Sequence, residues 1–459
     1  MGLPTRVGLG AIVVVAVSCG GNEVFACLDD DACAEGICQP EGYCSFPDDA
    51  CPSGQRFGEF AGDGLAGTCV GERGTSTSGE VTTTTATATT QPSLTTGVAD
   101  SSTGAAVDES GTTGSDCPDW WDCAWAVRVP ITVVWTGATL DDFPVRVLLD
   151  ARRFDLSQAA PDGADVRFVD AAGTLLPHEI EVFSPEDGVA EIWVRVPTLE
   201  DGTRLFLYAG QPAAADTQDP AAVWSNGFLA VWHLGPDAID SVTGTLLEDD
   251  GTLDADGQIG RARSFDGTAA FMRPDPSLPL LNLFERRATL SAWIRPMGWG
   301  QGGYGRILDI SSVNTSMNGW SLSVASSSPD GPTENLRFGF GYTSTYAAWR
   351  SAQDVTLDQW QHVALAYQGG DPMLPPEIYI DGLGGPPGTE TNGVGMPNQI
   401  TTAPAAIGAI GSADIRFFDG VIDEVRISTV GRTPDWIAAE HADGLDALLA
   451  YEPLQTAPQ

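Results

Sequence analysis

The chain has 459 residues, with 62 acidic against 22 basic side chains and a formal net charge of −40 at pH 7. Every basic residue is arginine. Such an anionic chain repels phosphate backbones and anionic bilayers, which sets nucleic-acid binding aside. The acid excess suits calcium, a cation that prefers oxygen ligands, and it equally suits plain solubility of an exported protein.

Residues 1–18 read as a signal peptide. One cation, Arg6, precedes the almost wholly apolar run Val7–Ser18, which is too short to span a bilayer. The run closes on Ala16-Val17-Ser18-Cys19-Gly20. This resembles the lipobox of bacterial lipoproteins, with Ala16 where that family usually has leucine. The resemblance implies that Cys19 becomes the first mature residue and carries acyl chains. It also implies a lipid-anchored protein at the outer membrane or cell surface, and Gly20 is compatible with that destination. Ordinary secretion with cleavage near Ser18 is the alternative.

With Cys19 set apart, eight cysteines remain: Cys27, Cys33, Cys38, Cys44, Cys51, Cys69, Cys117 and Cys123. An even set in an exported segment predicts disulfides. Residues 19–70 hold too few large aliphatics for a core without such cross-links. The six clustered cysteines allow fifteen pairings, among which the sequence does not choose. A zinc site is disfavoured, since the paired CxxC spacing is missing and no histidine lies nearby.

Residues 71–116 are dominated by Thr, Ser, Gly and Ala and contain no aromatic side chain. They cannot bury enough surface to offset ordering, so they are predicted to be a disordered stalk.

From 117 to 215 the pattern alternates. Val127, Val129, Ile131 and Val133 share one face, as do Phe143, Val145, Val147 and Leu149, and Ile192, Val194 and Val196. Turn signals such as Pro161-Asp162-Gly163 and Asp201-Gly202 separate the runs, which predicts a β-sandwich. The strings Asp162–Phe168, Leu176–Glu181 and Ile192–Pro197 resemble an uncharacterised bacterial domain family that often precedes a laminin-G-like domain. That resemblance implies a sandwich and a cell-surface setting, but no activity.

Residues 222–452 are predicted to form a second sandwich of many strands, with a late helix from Pro434, N-capped by Thr433, to about Leu449. The strings Gly260–Gly267, Leu290–Ile294, Trp360–Ala364, Ile378–Gly382 and Gly420–Ile427 resemble the concanavalin A-like, laminin-G-type lectin superfamily. The resemblance implies a jelly roll, a fold that hosts lectins, adhesion modules and hydrolases alike. The fold class is therefore all-β: two consecutive β-sandwiches behind a small disulfide-rich module and a linker.

Candidate chemistry is sparse. His178, His233, His362 and His441 pair with no recognisable nucleophile, because neither GxSxG nor HExxH occurs. The closely spaced strand acids of concanavalin-like glucanases are missing too. Asp423 and Glu424 are adjacent, so on a regular strand they point to opposite faces and cannot share a site. Asp423 instead shares its face with Val421, Val425 and Ile427, and a buried acid there needs a partner. The resemblance suggests a structural calcium ion, with Asp240 as second ligand; hydrogen bonds from backbone or arginine are the alternative. Asp266 and Asp381, each followed by glycine, read as turn residues. Trp299, Tyr304, Tyr346 and Trp349 stand near small residues, where they either stack on sugar rings or plug the ends of the sandwich. The sequence thus predicts a surface lipoprotein that binds a glycan or another surface protein without catalysis. A polysaccharide hydrolase or lyase and a purely structural envelope spacer are the rival readings.

Overall fold

The computed structural model describes parts of residues 33–70, residue 117, and residues 119–458 apart from 281–282, 286, 312–318, 329–330, 370–373, 394–403 and 412–414. Residues 1–18, read from sequence as a signal peptide, Cys19, Cys27, and residues 71–116, read as a stalk, lie outside the described residues. The chain forms two compact units, residues 1–107 and 108–459.

In the first unit three short antiparallel strands, Ile37–Cys38, Cys44–Pro47 and Gln55–Phe57, form one sheet. Disulfides join Cys33 to Cys44 and Cys51 to Cys69. Cys38 lies on the first strand. Buried cystines take the place of the aliphatic core that this segment cannot supply. In the second unit Cys117 bonds to Cys123, which completes the pairings among the described residues.

The first sandwich packs a sheet of strands Val127–Val133, Arg167–Asp170, Leu175–Leu176 and Arg204–Ala209 on a three-stranded sheet of Leu140–Leu149, Val189–Leu199 and His178–Ser184. The alternating valines, isoleucines and leucines read from the sequence fill the space between them. Two further strands come from the far end of the chain. Leu449–Tyr451 and Gln455–Thr456 both pair antiparallel with Val127–Val133. A boundary at residue 452 placed Leu449–Tyr451 in the second sandwich; the ladder assigns them to the first. The helix is accordingly shorter than expected, Pro434–Gly444, because Asp446 takes a positive φ of 57° and the chain turns away.

The second sandwich is a jelly roll of two eight-stranded antiparallel sheets. Its central strand, Asp419–Ser428, pairs with Arg261–Asp266, Ala288–Pro296 and Phe228–Trp232. That sheet, the near sheet, turns Leu290, Ala292, Ile294, Val363, Leu365 and Ile378 into the jelly-roll core. Its other face turns Val231, Trp293, Ala364, Ala366 and Tyr379 toward the first sandwich and the helix, whose Trp436, Ile437 and Ala439 join the same apolar cluster. Each large side chain buried there contributes about 1.5–3 kcal/mol. The opposite, far sheet runs from Glu248–Asp250 through Arg306–Ser311, Gly319–Ser328, Gly331–Gly341 and Tyr346–Asp354 to Gly388–Thr391.

Candidate functional sites

A buried ionic network sits where the two sandwiches meet. It begins with a β-bulge. Ser291 pairs with Arg426 and Trp293 with Asp423, so Ala292 alone faces two residues, Glu424 and Val425. Glu424 takes a φ of 51°. Ile422, Val425 and Ile427 point into the jelly-roll core, while Asp423 and Glu424 both leave it. The expectation that these adjacent acids face opposite ways fails, because the extra residue breaks the two-residue alternation; so does the expectation that Asp423 shares a face with Val425 and Ile427.

Glu424 Oε1 lies 2.6 Å from His233 Nδ1, and its Oε2 accepts hydrogen bonds from Arg426 Nε and Nη2 at 3.2 and 2.6 Å. The first sandwich supplies Glu179 and Glu181. Glu179 Oε2 accepts from Trp224 Nε1 at 2.6 Å and lies 3.4 Å from His233 Nε2; its Oε1 accepts from Ser241 Oγ at 2.6 Å. Glu181 Oε2 accepts from Trp193 Nε1 at 2.8 Å and lies 3.6 Å from His233 Nδ1. Trp193 stacks on the imidazole with ring centroids 5.6 Å apart, and Arg426 lies 4.4 Å from the Trp193 ring.

Burial opposes charge on His233, yet Glu424, Glu181 and Glu179 outweigh it and hold the imidazole protonated well above its ordinary range. Burial likewise opposes Glu424, but His233 and Arg426 bring it down to about 2. Glu181 gains less: burial, with Glu424 close by, pushes it up to about 8. Burial and the neighbouring Glu424 also hold Asp423 well above the carboxylate range. A cleft of about 560 Å³ reaches this network, lined by Glu179, Glu181 and His233 and by the loop from Leu234 to Gly244.

The far sheet carries a second polar array on the face turned away from the core. Arg306, Ser323, Arg337 and Arg350 stand opposite one another across four neighbouring strands. Beside them runs a row of smaller side chains, Asp309, Ser321, Gly339 and Ala348. Glu390 bridges two of the arginines: it accepts from Arg337 Nε at 2.9 Å and Nη2 at 3.3 Å, and from Arg350 Nε at 3.0 Å. Arg306 Nε lies 3.0 Å from Asp309 Oδ2, and burial lowers that guanidinium to about 10. The Tyr304 ring lies 5.6 Å from the Arg337 guanidinium and 4.9 Å from that of Arg416; the Tyr346 ring lies 5.8 Å from Arg337. Both tyrosines are half-buried.

Residues 162–246 match the family described as a domain of unknown function, DUF2341, and residues 266–438 match Laminin_G_3, the concanavalin A-like lectin/glucanases superfamily. The chain carries a DUF2341 domain followed by a concanavalin A-like domain. The DUF2341 match runs past the first sandwich and includes His233. Among solved structures, domain 4 of AbnA, a GH43 extracellular arabinanase from Geobacillus stearothermophilus seen with arabinotriose, is 21% identical, covers 46% of this chain and 97% of its own, and has a TM-score of 0.35. The binding domain of Paraclostridial Mosquitocidal Protein 1 is 14% identical, with 48% of this chain and 52% of its own covered and a TM-score of 0.36. The binding domain of Botulinum Neurotoxin DC in complex with SialylT is 12% identical over 48% and 52%, with a TM-score of 0.32. This chain thus spans about half the length of those two toxin domains. No curated protein sequence matches it.

The concanavalin A-like domain brings together two of the four aromatic residues singled out from sequence. Tyr304 and Tyr346 converge on Arg337. Trp349 does not join them: it is 5% exposed, belongs to the jelly-roll core and stacks on Phe338. Trp299 is partly buried and packs against that core. Trp349 is framework, which removes it from a sugar-stacking set, whereas Trp299 keeps part of its surface accessible, as Tyr304 and Tyr346 do. Asp240 and Asp423, the acids singled out for calcium, each have hydrogen-bond partners of their own. Asp240 Oδ1 accepts from the backbone of Val231 and Val242, and its Oδ2 from Thr243 Oγ1. Asp423 Oδ2 accepts from Ile259 N at 3.0 Å. The two acids share no hydrogen-bond partner, and both oxygens of Asp240 already accept hydrogen bonds from its own turn and the adjoining strand. Asp266 is the turn residue expected, collecting the amides of Thr268, Ala269 and Ala270. His233, for which the sequence offers no catalytic partner, anchors the junction. Two adjacent acids followed by an arginine in an otherwise apolar strand, Asp423-Glu424-Val425-Arg426, were its sequence signal.

Proposed function

We propose that this is an exported surface protein, lipid-anchored through Cys19, whose concanavalin A-like domain binds a glycan without catalysis. The observation that carries the reading is the pairing of Tyr304 and Tyr346 beside Arg337 on the far sheet. An apolar ring face suits the C–H face of a sugar, and Arg337, itself buried on Glu390, sits beside both rings. The rings keep part of their surface accessible, as a stacking role needs.

The hydrolase reading has one feature in its favour, the cleft lined by Glu179 and Glu181. Both oxygens of Glu179 are already held by Trp224 and Ser241. That locks the side chain rather than leaving it free to attack or protonate a substrate. Binding of the full chain to a broad polysaccharide array tests the proposal. At least one polysaccharide should bind, and Tyr304→Ala with Tyr346→Ala should weaken it about tenfold, at roughly 0.5–1.5 kcal/mol per stacked ring. No binding across the array refutes the reading. Release of reducing ends from a bound glycan establishes the hydrolase in its place.

A further inference from the structure

We propose that the junction of the two sandwiches is a binding site for one divalent transition-metal ion, with Glu181, His233 and Glu424 as ligands. One donor atom from each of these three side chains lies within 4.8 Å of the other two. The ligands come from both sides of the junction: Glu181 from the strand His178–Ser184 of the first sandwich, His233 and Glu424 from the second.

Four further features make this a built site rather than a chance gathering of acids. The histidine is already oriented. Its Nε2 faces Glu179 Oε2 at 3.4 Å, which fixes that nitrogen as the donor and turns Nδ1 toward Glu181 and Glu424. This carboxylate–histidine arrangement is how proteins commonly hold a metal-bound imidazole. The carboxylates are oriented too: Trp193 Nε1 donates to Glu181 Oε2, the oxygen 3.6 Å from His233 Nδ1, and Arg426 donates to Glu424 Oε2, the oxygen away from the imidazole. One oxygen is left over: Glu181 Oε1 has no hydrogen-bond partner, although its side chain is only 6% exposed. Asp423 Oδ1, on the same bulge and fully buried, is likewise without a partner.

The separations agree with coordination. Two ligands about 2.0–2.1 Å from a tetrahedral zinc stand about 3.3 Å apart. The observed 2.6 Å from Nδ1 to Glu424 and 3.6 Å to Glu181 bracket that value. Small side-chain shifts suffice, and the cleft lined by Glu181 and His233 gives the ion a way in. One imidazole nitrogen with carboxylate oxygens suits zinc, cobalt or manganese better than calcium, which takes six to eight oxygens. The ion would cross-link the two sandwiches.

The test uses the full chain, stripped with EDTA and titrated by calorimetry with Zn2+ alone, Co2+ alone and Ca2+ alone. One Zn2+ should bind per chain, and Co2+ should give the visible bands of a nitrogen–oxygen site. His233→Gln and Glu181→Gln should each weaken zinc at least about tenfold. Circular dichroism establishes that the variants fold. If they do not, anomalous diffraction from zinc-soaked wild-type crystals decides. A peak between Glu181, His233 and Glu424 supports the site. A peak only at surface acids, no stoichiometric uptake, uptake of Ca2+ but not Zn2+, or unchanged affinity in folded variants overturns it.

Discussion

Replacing Glu390 with alanine should destabilise the concanavalin A-like domain by about 3 kcal/mol. The side chain is 2% exposed and receives three charge-assisted hydrogen bonds from Arg337 and Arg350. Each such bond contributes roughly 1.5 kcal/mol or more, and removing one partner of a buried ion pair costs about 3–5 kcal/mol. The lower end applies because Arg350 is 15% exposed and can turn its guanidinium to water, while Arg337, at 6%, cannot. Without the carboxylate the two arginines, directly opposite on neighbouring strands, also repel. Urea unfolding followed by tryptophan fluorescence measures the loss, with an unchanged slope showing that the unfolded state is the same. Adding Arg350→Ala to the variant should restore part of the loss, because the repulsion goes with it. A loss under 1 kcal/mol for Glu390→Ala, or no recovery in the double variant, refutes the idea that this array is held by its ion pairs.

Two other expectations concern the DUF2341 domain. Leu448, 1% exposed, begins the segment that returns to that sandwich, so Leu448→Ala should cost about 3 kcal/mol by the same assay; under 1 kcal/mol would mean the returning strand is an ornament. His178 is buried beside Arg167, and burial with that charge lowers it to about 4. Its folded value is depressed, so its stabilising contribution is complete above the unfolded value near 6.5 and is lost as pH falls toward 4. The stability difference between wild type and His178→Asn should change by about 3 kcal/mol across that window, and a flat difference would rule the histidine out.

Much of the architecture follows from two-residue alternation, which marked Val127–Val133, Phe143–Leu149 and Ile192–Val196 before any coordinates. Alternation could also have sorted the aromatics. Tyr346 and Trp349 are three apart on one strand, so only one can face away from the core, and it is Tyr346. The bulge was hidden because Val421 and Ile422 are both apolar, so the strand reads equally well in either phase. The pairing of Gln455 with Arg128 spans 327 positions and involves a two-residue strand, and no local pattern encodes such a contact. The junction was invisible for the same reason, since Glu179 and Glu181 come from one sandwich and His233 and Glu424 from the other.

The bulge by itself places the carboxylate at the junction. Take Glu424 out on paper and the strand becomes perfectly regular, with Ile422, Val425 and Ile427 inward and Asp423 and Arg426 outward. The residue that touches His233 is therefore a guest in a ladder complete without it. One residue beyond the regular alternation is enough to endow an ordinary sheet with a carboxylate there, while Ile422, Val425 and Ile427 keep their places in the core.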